Sequence, residues 1–94
     1  MIAKPVEIKH QFEYGNCHVR IYHASKGEGI PKHSHPYDHA TFCNAGSCII
    51  RTANVTATID KDSKPLNLVG KEWHEIEALE NGTVFVNVFA EGKY

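Results

Sequence analysis

The chain has 94 residues, of which 41% are hydrophobic and 22% are charged, and its formal net charge is −1 when the histidines are neutral. This length fits a single domain over residues 1–94, and the composition is typical of a folded chain rather than a disordered one. The small net charge gives no electrostatic reason to expect nucleic acid or a membrane as a partner.

The start of the sequence, Met1 to Glu7, lacks the apolar segment of a signal peptide, and no apolar run is long enough to span a bilayer. The three cysteines cannot all pair with one another, so free thiols are the expectation: Cys17, Cys43 and Cys48. Together these features predict a cytoplasmic protein.

Short runs of β-branched and aromatic residues alternate with turn residues along the whole chain, and no segment keeps a helical period. In chain order the predicted strands are Val6–Phe12, Cys17–His23, Lys32–His35, His39–Asn44, Cys48–Thr52, Val55–Ile59, Leu66–Val69, His74–Ala78 and Thr83–Ala90. Many short strands with close turns are typical of an all-β sandwich or barrel.

Several of these strands alternate in polarity. In the second strand the apolar residues stand at the odd positions, and in the last strand three valines share one face while Phe85, Asn87 and Phe89 share the other. The pair Asn81-Gly82 predicts a hairpin with a type I′ turn before that last strand, because such a turn needs a positive φ at both central residues.

The most informative segment contains three histidines within seven residues. On a strand, His33 and His35 would point to the same face with Cα atoms roughly 6.6 Å apart, which suits two imidazoles on one ion. A straight strand would carry His39 roughly 13 Å beyond His35, too far to share that ion. We therefore predict a chain reversal at Pro36 and Asp38 that returns His39 to the same interior.

A fourth histidine, His74, opens a strand far along the chain and could close the local cluster on one metal ion. Imidazole suits zinc, copper, iron, nickel and also manganese, so the ligand type does not identify the ion. The remaining histidines have no partner spacing and are interpreted as ordinary strand or surface residues: His10, His18 and His23.

The pattern resembles the first motif of the cupin superfamily, which is a glycine, five residues, His-x-His, three or four residues, a glutamate, six residues and a glycine. Here Gly27, His33-Ser34-His35, His39 and Gly46 follow that spacing, with His39 in the place of the usual glutamate. The resemblance is greatest to small cupins with four histidines, some of which hold manganese. It covers nearly the whole chain.

The second cupin motif, loosely Pro-x-Gly-x-x-His, is only partly kept over Val69–His74. Val69 and Lys71 stand in place of the proline and the glycine; alternatively, Gly70 is that glycine with one residue inserted. The resemblance implies that His74 is the fourth ligand, that the fold is an antiparallel jelly-roll β-barrel of six to eight strands with the metal inside, and that the protein is a homodimer.

The catalytic residues are not evident from the sequence, but four side chains near the histidines are candidates for lining a pocket. Thr41 and Cys43 share the strand face of His39, although we favour a buried core thiol for Cys43. Tyr37 would lie at the pocket mouth or act as a barrel-rim aromatic, which we favour, and Trp73 would line the pocket or merely pack. Alternation turns Glu75 away from the face that His74 uses.

Four neutral imidazoles would leave the full charge of a divalent ion uncompensated, and four ligands on an octahedral ion leave two positions open. Manganese or iron is favoured, with zinc, nickel and copper as alternatives. The leading hypothesis is an oxygenase or dioxygenase acting on a small organic substrate. A non-oxidative isomerase or lyase, and a module that binds a small ligand through the metal, stay as alternatives.

Overall fold

The computed structural model describes residues 3–90, and it is built from strands joined by turns. Within that range no helix is long and apolar enough to cross a membrane. The strands are β1 Lys4–Pro5, β2 His10–Tyr14, β3 Cys17–Ala24, β4 Glu28–His33, β5 His39–Ala45, β6 Ser47–Thr52, β7 Thr56–Asp60, β8 Leu66–Leu68, β9 His74–Ala78 and β10 Thr83–Ala90.

The strands form two five-stranded sheets, with the orders β1-β4-β9-β6-β7 and β2-β3-β10-β5-β8. Every pairing is antiparallel except that of the two-residue β1 with β4. Strands adjacent in sequence repeatedly belong to different sheets, as in a jelly roll. The predicted all-β jelly-roll architecture is therefore confirmed, although with ten strands rather than six to eight.

The apolar core lies between the two sheets, toward one end of the barrel. Phe85 stacks on Tyr22 with ring centroids 4.8 Å apart, and Ile50 and Ile76 face them from the other sheet with at most 1% of their surface exposed. The other end of the same interior is polar, because β3, β5 and β10 continue there with histidine, threonine, asparagine and arginine. This division leaves one end of the barrel for a functional site.

The predicted strand Lys32–His35 is wrong in its bounds, because β4 runs over Glu28–His33 and His35 lies beyond its end. The strand begins at Glu28, four residues earlier than predicted, and Gly29 and Ile30 pair with β9. A Cβ at Gly29 would collide with the Ile76 backbone carbonyl, so glycine permits the close approach of the strands. Pro31 lies where the register shifts between Ile30 and His33.

Two other predicted elements need correction. The single strand predicted over Val6–Phe12 is replaced by β1 and β2, and residues 6–9 lie between them outside the strands. The type I′ hairpin at Asn81-Gly82 is absent, since β9 and β10 belong to different sheets. Gly82 has a φ of 75°, whereas Asn81 is not among the described residues with positive φ. The turn connects two layers rather than two paired strands.

The polarity of β3 is opposite to what its apolar odd positions suggest. His18, Tyr22 and Ala24 are buried toward the interior, whereas Val19 and Ile21 lie on the outer face of the sheet. His18, interpreted as an ordinary strand or surface histidine, is a strand residue of β3 and is only 6% exposed. The outer face of this sheet is consequently apolar as well.

Candidate metal centre

Four histidines converge at the polar end of the barrel interior, although they come from different elements. His33 ends β4 and is the direct register partner of His74, which begins β9 in the same sheet. His39 begins β5 in the opposite sheet. His35 lies in the connection between β4 and β5 and therefore bridges the two layers. The predicted chain reversal between His35 and His39 is present.

Each of the four rings contacts at least two of the other three. Ring nitrogens of His33, His35 and His74 all lie within 4.8 Å of one another. The His39 Nε2 atom is 3.3 Å from the His74 Nε2 atom, and the His39 ring centroid is 5.0 Å from that of His35. The structure thus brings together all four histidines that the sequence singled out.

Hydrogen bonds on the outer side of two rings leave their inner nitrogens available. The Nδ1–H group of His33 donates to the Pro31 carbonyl at 2.8 Å, and that of His35 donates to the Tyr37 carbonyl at 2.7 Å. With the proton on Nδ1, each Nε2 atom carries a lone pair. The Nε2 atom of His35 is buried without any hydrogen-bond partner, which is the arrangement expected of a ligand whose partner is an ion.

The outer side of His39 is held by a side-chain relay. The Thr41 hydroxyl donates to the Asn87 Oδ1 atom at 2.6 Å, so its oxygen can accept from the Nδ1–H group of His39 at 3.3 Å. Thr41 and Asn87 are nearly fully buried. A buried relay of this kind fixes the ring orientation and favours the tautomer with a free Nε2.

Two hydrogen bonds join the loop between β4 and β5 to the loop before β9, and so position the ends of the strands that carry the histidines. The Asp38 carboxylate accepts from the Gly70 backbone N–H at 2.7 Å, and the His35 carbonyl accepts from the Lys71 N–H at 2.6 Å. Lys71 has a φ of 69°, the only positive value at a non-glycine residue in the described chain. Lys71 therefore occupies the left-handed position three residues before His74, and no inserted residue is needed to align the second motif.

Two of the rings are kept neutral by their surroundings. The pKa of His39 is lowered to about 4, chiefly by burial; the hydrogen bond to the Ala40 carbonyl opposes this shift, and the nearby His35, His33 and Arg20 contribute to it. Burial, followed by the charges of the other three histidines, also lowers the pKa of His74 to about 4. Both rings are consequently unprotonated at neutral pH, the form that binds a metal.

A divalent transition metal ion fits this donor set. Metal–imidazole bonds of roughly 2.0–2.1 Å place two nitrogens on one ion about 3–4 Å apart, close to the separations found here. The Nδ1–H hydrogen bonds of His33 and His35, the buried Nε2 atom of His35 and the lowered pKa values of His39 and His74 all suit a bound metal ion. The all-nitrogen set does not select among manganese, iron, zinc, nickel and copper.

A cavity of about 360 Å³ opens beside the histidines and is lined by His33, His35 and His39. Tyr37 also lines it and stacks on the His35 ring with centroids 4.5 Å apart and an interplanar angle of 11°. None of the described lining residues carries a carboxylate. Five further lining residues matter to the chemistry: Arg20, Tyr22, Ser34, Asn87 and Phe89.

The other pocket candidates lie elsewhere. Thr41 is buried behind His39 and does not line the cavity, and Cys43 packs in the apolar core with its thiol donating to the Ala45 carbonyl. Trp73 contacts the Lys32 ammonium, whose nitrogen is 4.3 Å from the ring centroid. Glu75 points away from the histidines, as alternation predicts, and accepts from Arg51 at 2.8 Å.

Sequence reasoning missed Arg20 and Tyr22, which face the cavity from β3. The signal that was missed lies at the even-numbered positions of β3, where the polar and aromatic residues His18, Arg20 and Tyr22 alternate with smaller apolar ones. A second cavity of about 270 Å³ reaches His74 from another side; Leu66, Leu68 and Ile50 give it an apolar wall, and Glu72 lies at its lining.

Comparison with known proteins rests on structure alone, since no family model and no curated protein sequence matches the chain. A cupin-2 domain protein from Shewanella frigidimarina superposes with a TM-score of 0.69 at 11% identity, covering 90% of this chain and 83% of that one. The chain has the cupin fold. This likeness extends to KdgF from a Halomonas species, with a TM-score of 0.78 at 12% identity, covering 89% of this chain and 77% of the other.

A third structural neighbour is a manganese enzyme. Oxalate decarboxylase of Bacillus subtilis, an enzyme with Mn(II) centres, superposes with a TM-score of 0.72 at 19% identity, covering 84% of this chain but only 22% of that longer chain. The manganese is a property of that neighbour; in the present chain, the histidine cluster itself is what could hold a divalent metal.

Replacing Thr41 with valine removes the hydroxyl that holds His39 while preserving the side-chain shape. We expect the affinity for Mn(II) or Zn(II) to fall about 10- to 100-fold, the usual effect of losing such a support. Competition against a metal chelator measures this affinity. The Thr41→Ser variant should restore it, and Thr58→Val, on an exposed strand position, should leave it unchanged; equal affinity in Thr41→Val and wild type contradicts the relay.

Acid should destabilise the metal-free protein within a defined window. His39 and His74 have an ordinary pKa of 6.5 in the unfolded chain and about 4 when folded, so the unfolded state binds more protons between those values. The free energy of unfolding is therefore highest above pH 6.5, falls toward pH 4 and loses on the order of 3 kcal/mol for each histidine.

Urea unfolding in the presence of a chelator, repeated from pH 7 to pH 4, measures that loss. The His39→Gln variant cannot be protonated at this position and should lose distinctly less stability on acidification. The His23→Gln variant replaces an exposed histidine outside the cluster and should behave as wild type. An unchanged acid loss in His39→Gln would show that the buried ring is not its source.

Proposed function

We propose that this cupin is a mononuclear, metal-dependent oxygenase acting on a small, oxygen-bearing organic substrate. Its metal ligands in this proposal are His33, His35, His39 and His74, and the ion is manganese or iron. When bound, such an ion would supply adjacent coordination positions for dioxygen and a substrate oxygen. The cytoplasmic location proposed with it agrees with three unpaired cysteines.

The observation that carries the proposal is a four-histidine cluster beside a cavity whose described lining residues include no carboxylate. Isomerases that form an enolate usually require a base beside the metal. Glu75 is bound to Arg51 on the opposite side of its strand, and Glu72 lines the second cavity instead. The first cavity offers orientation and shielding more readily than proton abstraction by a carboxylate.

The residues around the cavity have distinct tasks in such a reaction. Tyr37 stacks on His35 and shields one edge of the histidine cluster from water. Phe89 lies against His39, with ring centroids 4.7 Å apart, and provides an apolar wall. Tyr22 and Tyr37 line the cavity, and each carries a hydroxyl that can donate a hydrogen bond to a substrate oxygen.

A metal-dependent lyase is the second candidate, and one observation favours it. The chain superposes on oxalate decarboxylase, a manganese enzyme whose name indicates removal of a carboxyl group. Consumption of dioxygen separates the two candidates, because an oxygenase incorporates it in stoichiometric amounts and a lyase does not.

The metal is tested first and the reaction second, both on the purified protein. Mass spectrometry of the bound metal should find one manganese or iron per chain in wild type and in His10→Ala, whereas the His33→Ala/His35→Ala double variant should contain almost none. Stoichiometric metal in the double variant would falsify the ligand assignment.

Oxygen uptake is then followed for Mn(II)- and Fe(II)-loaded protein over a panel of diketones, catechols and 2-oxo acids. We expect uptake with at least one substrate and its loss in the double variant. Turnover without uptake, detected as a lost carboxyl group or a rearranged product, would favour the lyase instead.

We also propose that the protein is a homodimer formed through the outer face of the sheet β2-β3-β10-β5. Pairing and alternation place fourteen residues of these four strands on that face, and none is Asp, Glu, Lys or Arg. Its central rows contain Phe12, Val19, Val88 and, one row along, Ile21, Val86 and Phe42.

A second copy of the same chain suits this surface best. The described residues form only two layers, so no third element covers the face. An uncharged face offers no electrostatic complement to a charged partner, whereas two copies can bury it against each other around a twofold axis.

The oligomeric state is tested with Val88→Glu, which places a charge at the centre of this face. Wild type should have twice the mass of one chain by light scattering after size exclusion, and the variant should have the mass of one. Val55→Glu, at a position that is 58% exposed outside the face, should remain dimeric. A monomeric wild type at micromolar concentration contradicts the proposal.

A further inference from the structure

The second cavity, of about 270 Å³, lies between the open edges of the two sheets. β7 is the last strand of one sheet and β8 the last strand of the other, and among the described strands these two are not paired with each other. The sheets therefore part along this edge, and the space between them is surrounded by β6, β7, β8 and the loop before β9.

We propose that this second cavity binds the hydrocarbon part of the substrate, whose oxygen-bearing head lies at the histidine cluster. The inference rests on the proposed metal-dependent function and specifies its substrate class, a small organic molecule with a short apolar chain or ring.

The second cavity adjoins the histidine cluster through His74. His33, His35 and His39 line the first cavity, whereas His74 lines the second. Because the His74 ring contacts each of the other three rings, the cluster lies between the two cavities. A ligand in the second cavity is therefore in contact with one of the proposed metal ligands.

The walls of this cavity are mainly aliphatic. Ile50 and Leu68 are only 1% and 4% exposed, so the cavity is a recess that reaches the interior and suits a small molecule. An apolar group that displaces water from an aliphatic wall gains free energy from the hydrophobic effect. Six of the eleven lining residues are aliphatic: Ile50, Val55, Ala57, Leu66, Leu68 and Val69.

Two exposed valines lie where this cavity opens to solvent. Val55 is 58% exposed and Val69 is 53% exposed, and both line the cavity. Other strongly exposed large apolar side chains of the described chain include Phe12 and Tyr14, which lie on the proposed dimer face. The two valines are outside that face, and an apolar ligand in the cavity would cover part of their surface.

Charge restricts the part of the ligand that this cavity accepts. Among the described lining residues there is no Lys or Arg, and Glu72 is the one carboxylate. An anionic group here would lack a cationic partner and would be repelled by Glu72. The bound part of the ligand is therefore uncharged, and the oxygen-bearing head belongs at the His74 end.

Size gives the length of the apolar part. An apolar cavity of about 150 Å³ holds a benzene molecule, so one of this size suits a chain or ring of about six carbon atoms. Each methylene group that becomes buried should raise the affinity roughly fourfold.

The test measures binding rather than turnover. Hexan-1-ol and hexane-1,2,6-triol have the same carbon number, and each is titrated into Zn(II)-loaded protein while the methyl resonances are followed by NMR. We expect hexan-1-ol to shift the methyl resonances of Ile50, Leu66 and Leu68 and to bind about tenfold or more tightly than the triol, whose added hydroxyls must be desolvated. Equal affinities, or shifts confined to Val19 and Val88 on the outer face, would overturn the inference.

A pair of neighbouring substitutions on β7 locates the binding. Ala57 pairs with Ile50 and lines the cavity, so Ala57→Leu fills part of the space and should weaken hexan-1-ol binding about tenfold. Thr58→Leu adds the same side chain at the next, exposed position and should bind hexan-1-ol as wild type does. Undiminished affinity in a folded Ala57→Leu variant contradicts the inference. If Ala57→Leu does not fold, the map of wild-type methyl shifts decides.

Mn(II)-loaded protein tests the direction of the ligand, because the ion accelerates the relaxation of nearby protons. The CH₂ group beside the hydroxyl of hexan-1-ol should relax faster than the terminal methyl group, and equal or reversed enhancements would overturn the placement of the head at the cluster. Failure of the proposed metal-dependent function has a different signature: the cavity methyl resonances still shift, but Mn(II) is not retained and neither end of the alcohol relaxes faster.

Discussion

The close approach of four imidazoles in one buried space is the constraint on which the rest of this structure depends. Each ring, if protonated, would repel its neighbours. Burial lowers the pKa of His39 and His74 and keeps these rings unprotonated, which is the form that can bind a cation. The rings come from both sheets and from the loop between β4 and β5, so the site exists only when the sheets face each other. The hydrogen bond from the Gly70 N–H to the Asp38 carboxylate joins the loop between β4 and β5 to the loop before β9.

The barrel interior is divided along its axis because its strands change character midway. Toward one end, Phe85 and Tyr22 stack in an apolar core that provides most of the hydrophobic stabilisation available to a short chain. Toward the other end, Thr41 of β5 and Asn87 of β10 are buried polar residues that hydrogen-bond to each other. The rigid apolar end supports the polar end, where precise ring orientation is needed for binding an ion.

Much of this arrangement could be predicted from the residues. Turn spacing and β-branched runs indicated an all-β sandwich or barrel, and the resemblance of the segment from Gly27 through His39 to Gly46 to the cupin motif implied the jelly-roll type. The errors have local causes. Gly29 and Pro31 fall outside the predicted strand but lie in β4, since only the neighbouring strand reveals the close approach at Gly29 and the register shift at Pro31. In β3, the apolar positions face outward because the opposite face of the strand lines the site.

The sequence by itself predicted the histidine cluster, because His33 and His35 have a spacing that suits two imidazoles on one ion and His39 follows within one chain reversal. It also determined the fold class, since period-two alternation and turn residues act over short distances. Only the tertiary structure decided that Lys71 takes the left-handed position before His74, that Thr41 supports His39, and that Arg20 shares the cavity. These facts depend on which residues become neighbours across strands, and sequence separation carries no information about that.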